Sequence, residues 1–249
     1  MAHVVAVVPA RSGSRGLPGK NLALVGGCPL LVRAIAAGLA ARLVDRVVLT
    51  SDYGDVTCRS LATQHGLADA DWDYVERPRH LARDKSPIED AMLHALLETE
   101  GRGLPKATHV VLLNPTSPLR QPATIDKAVE FALQDDLATV VTVCATVIPH
   151  RLWHWCQTGR WQPSRSLYGS ARHPMRQDWD AHYFEHGAAY VVRRDVLDRG
   201  TLYGEPASVV ETTEVEACDI DTEADLVVAR ALWHEYRKCD YTIGRKEQG

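Results

Sequence analysis

A chain of 249 residues with 45% hydrophobic content can bury a sizeable core as one domain, or as one domain with an appendage. Its formal net charge of -4 argues against a general nucleic-acid or membrane-surface binder, because such proteins need a large basic field. No CxxC pair and no apolar run of membrane-spanning length is present, so we expect reduced thiols, no zinc site and no membrane span. Arg11 cuts short the first apolar stretch, so we expect the start of the chain to be structure rather than a secretory signal, and the protein to be cytoplasmic.

Short β-branched runs alternate with longer helical patterns along the first half of the chain. The runs at 3–10, 45–52, 73–77, 108–115 and 138–147 predict strands, and those at 29–43, 54–65, 87–99 and 122–133 predict helices. This alternation indicates an α/β fold, with a mainly parallel central sheet and helices on both faces. Such sheets bind ligands at the loops that leave the carboxyl ends of their strands.

The segment 148–182 breaks this rhythm. It contains four of the six tryptophans, and no helical or strand period persists through it. We predict hairpins that leave the sheet and cover their aromatic surface against a second subunit. We therefore divide the chain into an α/β core (1–147), this excursion, a return of the core (183–241) and a tail (242–249). Within the return, the patterns predict a resumed alternation from 187–197, then a strand near 207–211, the segment 218–222 and a helix at 223–237.

A glycine-rich loop with three cations follows the first predicted strand, in "PARSGSRGLPGKN" (9–21). Glycines let backbone N–H groups approach an anion closely, and Arg11, Arg15 and Lys20 add positive charge, so the loop predicts phosphate binding. It is neither of two familiar phosphate motifs: five residues separate Gly13 from Gly19 where a P-loop has four, and Arg15 breaks GxGxxG. The alternative is a solvated loop with incidental charges.

A pair of aspartates lies far away in the sequence, in "CDIDTEADL" (218–226). If 218–221 is extended, Asp219 and Asp221 project from one face, and two adjacent carboxylates repel unless a cation lies between them. Mg²⁺ takes one or two carboxylates plus phosphate oxygens, so the pattern predicts a magnesium site. The alternative is a helix-capping sequence, which accounts for Thr222 and Asp225 but not for the two aspartates.

A proline-bracketed turn follows the fourth predicted strand, in "LLNPTSPLR" (112–120). The prolines fix a rigid turn and leave the hydroxyls and amides of Thr116 and Ser117 free to meet a ligand. Arg120 could face either the ligand or solvent. Taken alone, this stretch is equally well interpreted as an ordinary loop.

In this order, these motifs and "RPRHLARD" (77–84) resemble the cytidylyltransferases that activate acidic sugars, above all the acylneuraminate cytidylyltransferase (CMP-sialic acid synthetase) family. The resemblance covers nearly the whole chain. It implies a Rossmann-like nucleotidyltransferase fold and a homodimer formed through a protruding segment, in the place of 148–182. It also implies that CTP and Mg²⁺ are used to place CMP on the anomeric hydroxyl of a nonulosonic acid, with release of pyrophosphate.

Carried over by matching position, the resemblance implies a role for individual residues. The nucleotide-binding residues that it implies are Arg11, Ser12, Gly13, Arg15, Lys20, Asn21, Arg77 and Ser86. The catalytic residues that it implies are Arg11, Lys20, Asp219 and Asp221, with the two aspartates as magnesium ligands. The acceptor-binding residues that it implies are Asn114, Thr116, Ser117, Arg176, His186 and Tyr190.

The departures from the family pattern all fall on the acceptor side. The family usually has Gln in place of Asn114 and Asn in place of His186, and some sialate enzymes have a cation in place of Phe184. His186 is as well interpreted as a packed or solvated histidine as a substrate contact. Three hypotheses stay open: a synthetase of CMP-nonulosonic acids, a cytidylyltransferase for another acceptor such as an octulosonic acid or a phosphonate, and a non-catalytic nucleotide-binding dimer.

Overall fold

A computed structural model describes residues 2–14, 16–68, 70–146 and 182–236, and the backbone alone of 153–157 and 161–166. The strands are β1 (Val4–Ala10), β2 (Leu24–Val25), β3 (Cys28–Pro29), β4 (Arg46–Ser51), β5 (Trp72–Glu76), β6 (His109–Leu112), β7 (Thr139–Thr146), β8 (Trp153–Gln157), β9 (Trp161–Ser166), β10 (His182–Arg193) and β11 (Ala207–Glu211). The helices are α1 (Leu30–Ala40), α2 (Asp55–Gln64), α3 (Ile88–Gly101), α4 (Pro122–Gln134), α5 (Arg194–Leu197) and α6 (Glu223–Tyr236), with a 3₁₀ turn at Lys20–Leu22.

A seven-stranded sheet in the order β11-β7-β10-β6-β1-β4-β5 forms the centre of the fold. The pairs β6–β1, β1–β4, β4–β5 and β7–β11 are parallel, whereas β10 is antiparallel to both of its neighbours. The mainly parallel sheet is therefore confirmed, with β10 as its reversed strand. The alternation predicted for 187–197 is confirmed, because α5 follows β10 there, although β10 begins earlier, at His182, where it pairs with the end of β7.

Helices cover both faces of this sheet, as predicted. Alternate residues of β1 point to opposite faces and pack against different helices. Ala6 and Val8 belong to the cluster that includes residues of α1, α2 and α4, while Val5 and Val7 pack with residues of α3 and α5. All seven residues of β1 are buried. A strand buried on both faces needs apolar side chains at every position, which explains its unbroken apolar run.

The hairpin prediction for 148–182 is met in part by β8 and β9. These strands pair antiparallel in a sheet of their own, apart from the central one. The rest of that segment, Arg176 included, lies outside the described residues, as does the tail at 242–249. Across the described parts of the chain, no helix is both long enough and apolar enough to span a membrane.

The condition that 218–221 is extended as a strand is not met, since none of these residues belongs to a strand. These residues form a loop before α6, in which the amide of Ile220 donates to the carbonyl of Thr116 at 2.9 Å. The capping interpretation is confirmed, because the Asp225 carboxylate accepts hydrogen bonds from the amide (2.7 Å) and the hydroxyl (2.8 Å) of Thr222. Strand alternation therefore does not relate Asp219 to Asp221.

Candidate active site

A cavity of about 670 Å³ opens where loops leave the carboxyl ends of β1, β5 and β6. Its volume is ordinary for a small-molecule site, and this end of a parallel sheet is where such folds bind ligands. The predicted site residues in its wall are Arg11, Lys20, Asn21, Arg77, Ser86, Asn114, Thr116 and Asp221. The fold therefore brings together residues from the first and last predicted motifs.

The two described cations of the N-terminal loop are each paired with a carboxylate from a distant segment. Arg11 Nη1 donates to Asp84 Oδ1 at 2.7 Å, and Lys20 Nζ donates to Asp221 Oδ1 at 3.0 Å. The buried side chain of Asn21 donates to the Arg11 carbonyl at 2.8 Å and so holds the loop closed on itself. Positive and negative groups thus share one cavity, and both pairs are open to exchange with a charged ligand.

Ser12 and Gly13 do not belong to the cavity wall. Ser12 donates from its amide (2.6 Å) and its hydroxyl (2.7 Å) to the carboxylate of Asp52, just beyond β4. Gly13 has open space where a Cβ would lie. Ser12 therefore anchors the loop to the sheet, while Arg15 lies outside the described residues.

Gly16 marks the closest approach between the N-terminal loop and the loop of Asp221. A Cβ added to Gly16 would lie 2.5 Å from the Asp221 carbonyl oxygen, which is backbone and cannot rotate away. Glycine at this position allows the two loops to touch. The contact between the loops depends on this missing side chain.

The segment from Arg77 to Ser86 forms a further wall. Arg77 is buried, and its Nε donates to the Leu81 carbonyl at 2.8 Å. Burial lowers the pKa of Arg77, with Arg11 acting in the same direction and Asp52 opposing it, yet a guanidinium stays protonated in proteins. Ser86 Oγ donates to the His80 carbonyl at 2.6 Å, so the loop is internally bonded and presents a fixed cation beside the cavity.

Arg120 faces neither the ligand nor solvent, which corrects both alternatives considered for it. It is 1% exposed, and it donates from Nε to the Ser117 carbonyl at 3.1 Å and from Nη2 to the Asn114 carbonyl. The guanidinium therefore braces the turn that presents Asn114 and Thr116. On the other side of that turn, a Cβ added to Gly187 would lie 2.8 Å from Asn114 Nδ2, so β10 packs directly against it.

His186 lies in the interior, in an irregularity of β10 opposite β7. Its Nε2 is 2.7 Å from Thr212 Oγ1. Burial lowers the pKa of His186, with Arg120 acting in the same direction and Asp219 opposing it. This environment favours a packed, neutral histidine over a substrate contact.

Tyr190 belongs to a cluster with Glu185 and Tyr203. Burial raises the pKa of Tyr190, and a hydrogen bond to Glu185 adds to the effect. Tyr203 also donates to Glu185, at 2.6 Å, and this bond raises the pKa of Tyr203 to about 12. Both phenols therefore stay protonated donors at neutral pH, and sequence reasoning missed Glu185 and Tyr203.

Of the two aspartates of the last motif, Asp221 lines the cavity and Asp219 does not. Asp221 pairs with Lys20 in the cavity wall, whereas the charge of Asp219 acts on His186 and Tyr190. In the part of the chain with described side chains, no three His, Cys, Asp or Glu side chains gather into a possible metal site. The donor set therefore suits only an ion whose remaining ligands come from a substrate, as Mg²⁺ on phosphate oxygens does.

Sequence reasoning also missed several residues of the cavity wall. These are Ser14, Arg83, Asp84, Ile88 and Thr222. Arg83 and Asp84 lie inside the motif "RPRHLARD", so the sequence pointed to their segment but assigned no function to either residue. The partner of Asp84 is 73 positions away, which no local pattern reveals.

A family model described as Cytidylyltransferase matches residues 5–154 of the chain. The chain is 29% identical to CMP-N,N'-diacetyllegionaminic acid synthase of Legionella pneumophila, over 92% of this chain and 96% of that protein. It is 26% identical to N-acylneuraminate cytidylyltransferase of Oncorhynchus mykiss over 91% of its own length, but it spans only 49% of that longer protein.

Two solved structures share the fold. One is CMP:2-keto-3-deoxy-manno-octonic acid synthetase complexed with CTP, with a TM-score of 0.65 and 19% identity over 94% of this chain and 100% of that one. The other is 4-diphosphocytidyl-2C-methyl-D-erythritol synthase from Anaerococcus prevotii, with a TM-score of 0.60 and 14% identity over 94% of this chain and 96% of that one. At these identities the likeness establishes the Rossmann-like nucleotidyltransferase fold.

Proposed function

Since this chain belongs to the cytidylyltransferase family, we propose that it transfers CMP from CTP to the anomeric hydroxyl of an acidic, sialic-acid-like nonulosonic acid and releases pyrophosphate. One observation carries the nucleotide half of this proposal: Lys20 and Asp221 meet at 3.0 Å in a cavity that Arg11 and Arg77 also line. Cations suited to a triphosphate and a carboxylate suited to its divalent ion thus lie side by side.

We assign the triphosphate to Arg11 and Lys20, which can exchange their carboxylate partners for phosphate oxygens. Arginine offers a bidentate fork to phosphate, and lysine a compact point charge. Asn21, Arg77 and Ser86 line the same cavity and are assigned to the rest of the nucleotide. Asp221, with Asp219 as a second carboxylate, would hold Mg²⁺, which when bound supplies further neutralisation of phosphate charge.

The proposed reaction is an in-line displacement at the α-phosphorus of CTP. The acceptor oxygen forms a bond to that phosphorus and releases its proton to solvent water, while the bond from the α-phosphorus to the bridging oxygen breaks and pyrophosphate leaves with the electron pair. The protein's contribution is to hold the reactants in line and to stabilise the charge of the leaving group. We assign the second task to Arg11 and Lys20.

We assign the acceptor to the wall formed by the 114–117 turn and β10. Asn114 and Thr116 line the cavity, and Gly187 packs directly against the Asn114 side chain. Tyr190, which pairs with Leu112 in the sheet and has a protonated hydroxyl, is assigned to the same acceptor region. The relative from Legionella pneumophila is named for diacetyllegionaminic acid, and that acid is our first candidate.

A second candidate is the same transfer to an octulosonic acid. The departures at Asn114 and Phe184 favour it, because both fall on the acceptor side of the family pattern. We further propose a cytoplasmic homodimer formed through 148–182, with Arg176 of that segment assigned to the acceptor carboxylate.

Pyrophosphate release by the purified protein tests the proposal. We expect release with CTP and Mg²⁺ in the presence of a nonulosonic acid, and its loss with ATP or with EDTA. The panel contains N,N'-diacetyllegionaminic acid, N-acetylneuraminic acid and 2-keto-3-deoxy-manno-octonic acid, so preference for the last would select the second candidate. CTP binding by calorimetry without turnover on any acid would overturn both and leave a non-catalytic nucleotide-binding protein.

A further inference from the structure

A small apolar cluster, separate from the two large ones, contains residues from the segments that line the cavity. We name it the site cluster; its buried members are Val25, Leu30, Leu119, Ile220, Leu226 and Ala229. Three segments of the active site each contribute to it: Leu17 comes from the cationic loop, Leu119 from the proline-bracketed turn and Ile220 from the loop of Asp221. The three segments that supply the side chains of the cavity wall therefore pack on the same apolar cluster.

An arginine and a tryptophan join the parts of this cluster. The Cζ atom of Arg33, in α1, lies 4.0 Å from the centre of the Trp233 ring, in α6. The same guanidinium is buried and donates from Nε to the Pro118 carbonyl (3.1 Å) and from Nη1 to the Val25 carbonyl (3.4 Å). One side chain thus contacts the turn, the β2–β3 hairpin and the last helix.

Two further contacts hold α6 against the hairpin. Gly26 has φ +61°, and a Cβ there would lie 2.1 Å from the Trp233 ring, so the ring lies directly on the hairpin backbone. Arg230 donates to the Leu24 carbonyl at 2.9 Å. Because the hairpin follows Lys20 and α6 follows Asp221, this docking sets the distance between the two loops.

We infer that Arg33 and Trp233 are positioning residues, which place Asp221 opposite Lys20 although neither of them lines the cavity. The functional part of this inference rests on the proposed function; its geometric part does not. The hydrogen bonds of the Arg33 guanidinium fix its orientation, and its stacking on the Trp233 ring adds a cation–π attraction. Loops alone would leave Asp221 free to move by more than productive catalysis tolerates.

Hydrogen exchange of the ligand-free protein tests the geometric part. In Trp233→Ala we expect faster exchange of the Ile220 amide, which donates to Thr116, and of peptides covering 16–25. The matched control is Trp72→Ala, because the Trp72 ring is likewise stacked by an arginine, with Arg59 Cζ 4.7 Å from its centre. Trp72 is the first residue of β5, whereas the cavity lies at the carboxyl end of that strand. Trp72 is only 4% exposed, so this control loses at least as much core. Unchanged exchange at Ile220 in Trp233→Ala would overturn the inference.

Steady-state kinetics test the functional part. In Trp233→Ala and Arg33→Met we expect the Mg²⁺ concentration for half-maximal turnover to rise about tenfold or more, with a smaller rise in the acceptor KM, because Arg33 also donates to Pro118 of the turn assigned to the acceptor. Trp233→Phe keeps an aromatic face and should recover most of the loss, whereas Trp72→Ala should stay within about twofold of the parent protein below its melting temperature. If Trp233→Ala and Trp72→Ala raised the Mg²⁺ requirement equally, the role of Trp233 would be one of general stability, and the inference would be overturned. If the parent protein itself does not turn over CTP, the proposed function fails, and the exchange experiment still decides the positioning role.

Discussion

Arg11 donates a 2.7 Å hydrogen bond to Asp84, from one wall of the cavity to another. Both side chains are about one-third exposed, so the pair is accessible to a competing anion. Lys20 repeats the arrangement with Asp221, and this pair also lines the cavity. Each cation that we assign to the triphosphate is therefore held in place by a carboxylate that the nucleotide must displace.

Asp84→Asn should strengthen CTP binding. A partly exposed ion pair is worth about 0.2–1 kcal/mol, so removing the competitor should lower the Kd for CTP by about 1.5- to 5-fold in calorimetry. The control is Asp55→Asn, which removes the carboxylate that pairs with Arg59 on α2 and should leave the Kd unchanged. Weaker binding in Asp84→Asn would mean that Asp84 orients Arg11 rather than competing for it.

Asp221→Asn should remove magnesium-dependent turnover while leaving the fold intact. Its side chain is 76% exposed, so the melting temperature should stay the same. Loss of a metal ligand forfeits several kcal/mol of transition-state stabilisation, so kcat should fall about 100-fold or more. Asp219→Asn should cost less, because Asp221 lines the cavity beside Lys20 and Asp219 is not part of that wall. Equal losses in the two variants would show that both aspartates contribute equally to the metal site.

Gly16→Ala and Gly13→Ala form a matched pair within one loop. The new Cβ at 16 would meet the Asp221 carbonyl at 2.5 Å, whereas the one at 13 meets open space. Displacement of the loops by a few tenths of an ångström or more should lower kcat/KM for CTP about tenfold or more in the first variant and leave the second within about twofold. Comparable rates for the two variants would refute the close contact between the loops.

His186→Gln should separate packing from substrate binding. Burial lowers the folded-state pKa of His186 below its ordinary 6.5, so the unfolded chain binds the proton more readily. The resulting loss of stability develops as the pH falls below 6.5 towards the folded-state pKa, and it is absent above that range. The drop in melting temperature between pH 7.5 and pH 5.5 should therefore be smaller in His186→Gln than in the parent protein or in the exposed control His234→Gln. The acceptor KM should change by less than about threefold, and a larger rise would restore the substrate role.

The sequence alone was sufficient for most of the fold. The pattern at 54–65 corresponds to α2 at Asp55–Gln64, and the capping pattern of Thr222 and Asp225 corresponds to the observed start of α6. Buried parallel strands and amphipathic helices carry their own periodicity, and caps act within four residues, so local sequence is enough to identify them. The glycine-rich loop and its cations were predictable for the same reason.

The tertiary structure decided which of these residues meet. The reversed direction of β10, the burial of Arg120 beneath its turn and the stacking of Arg33 on Trp233 all depend on contacts between distant segments. Lys20 and Asp221 are 201 positions apart, and no periodicity relates them. Their 3.0 Å contact exists because the sheet order and the site cluster bring two distant segments of the chain to one cavity. Such long-range packing is a property of the whole fold.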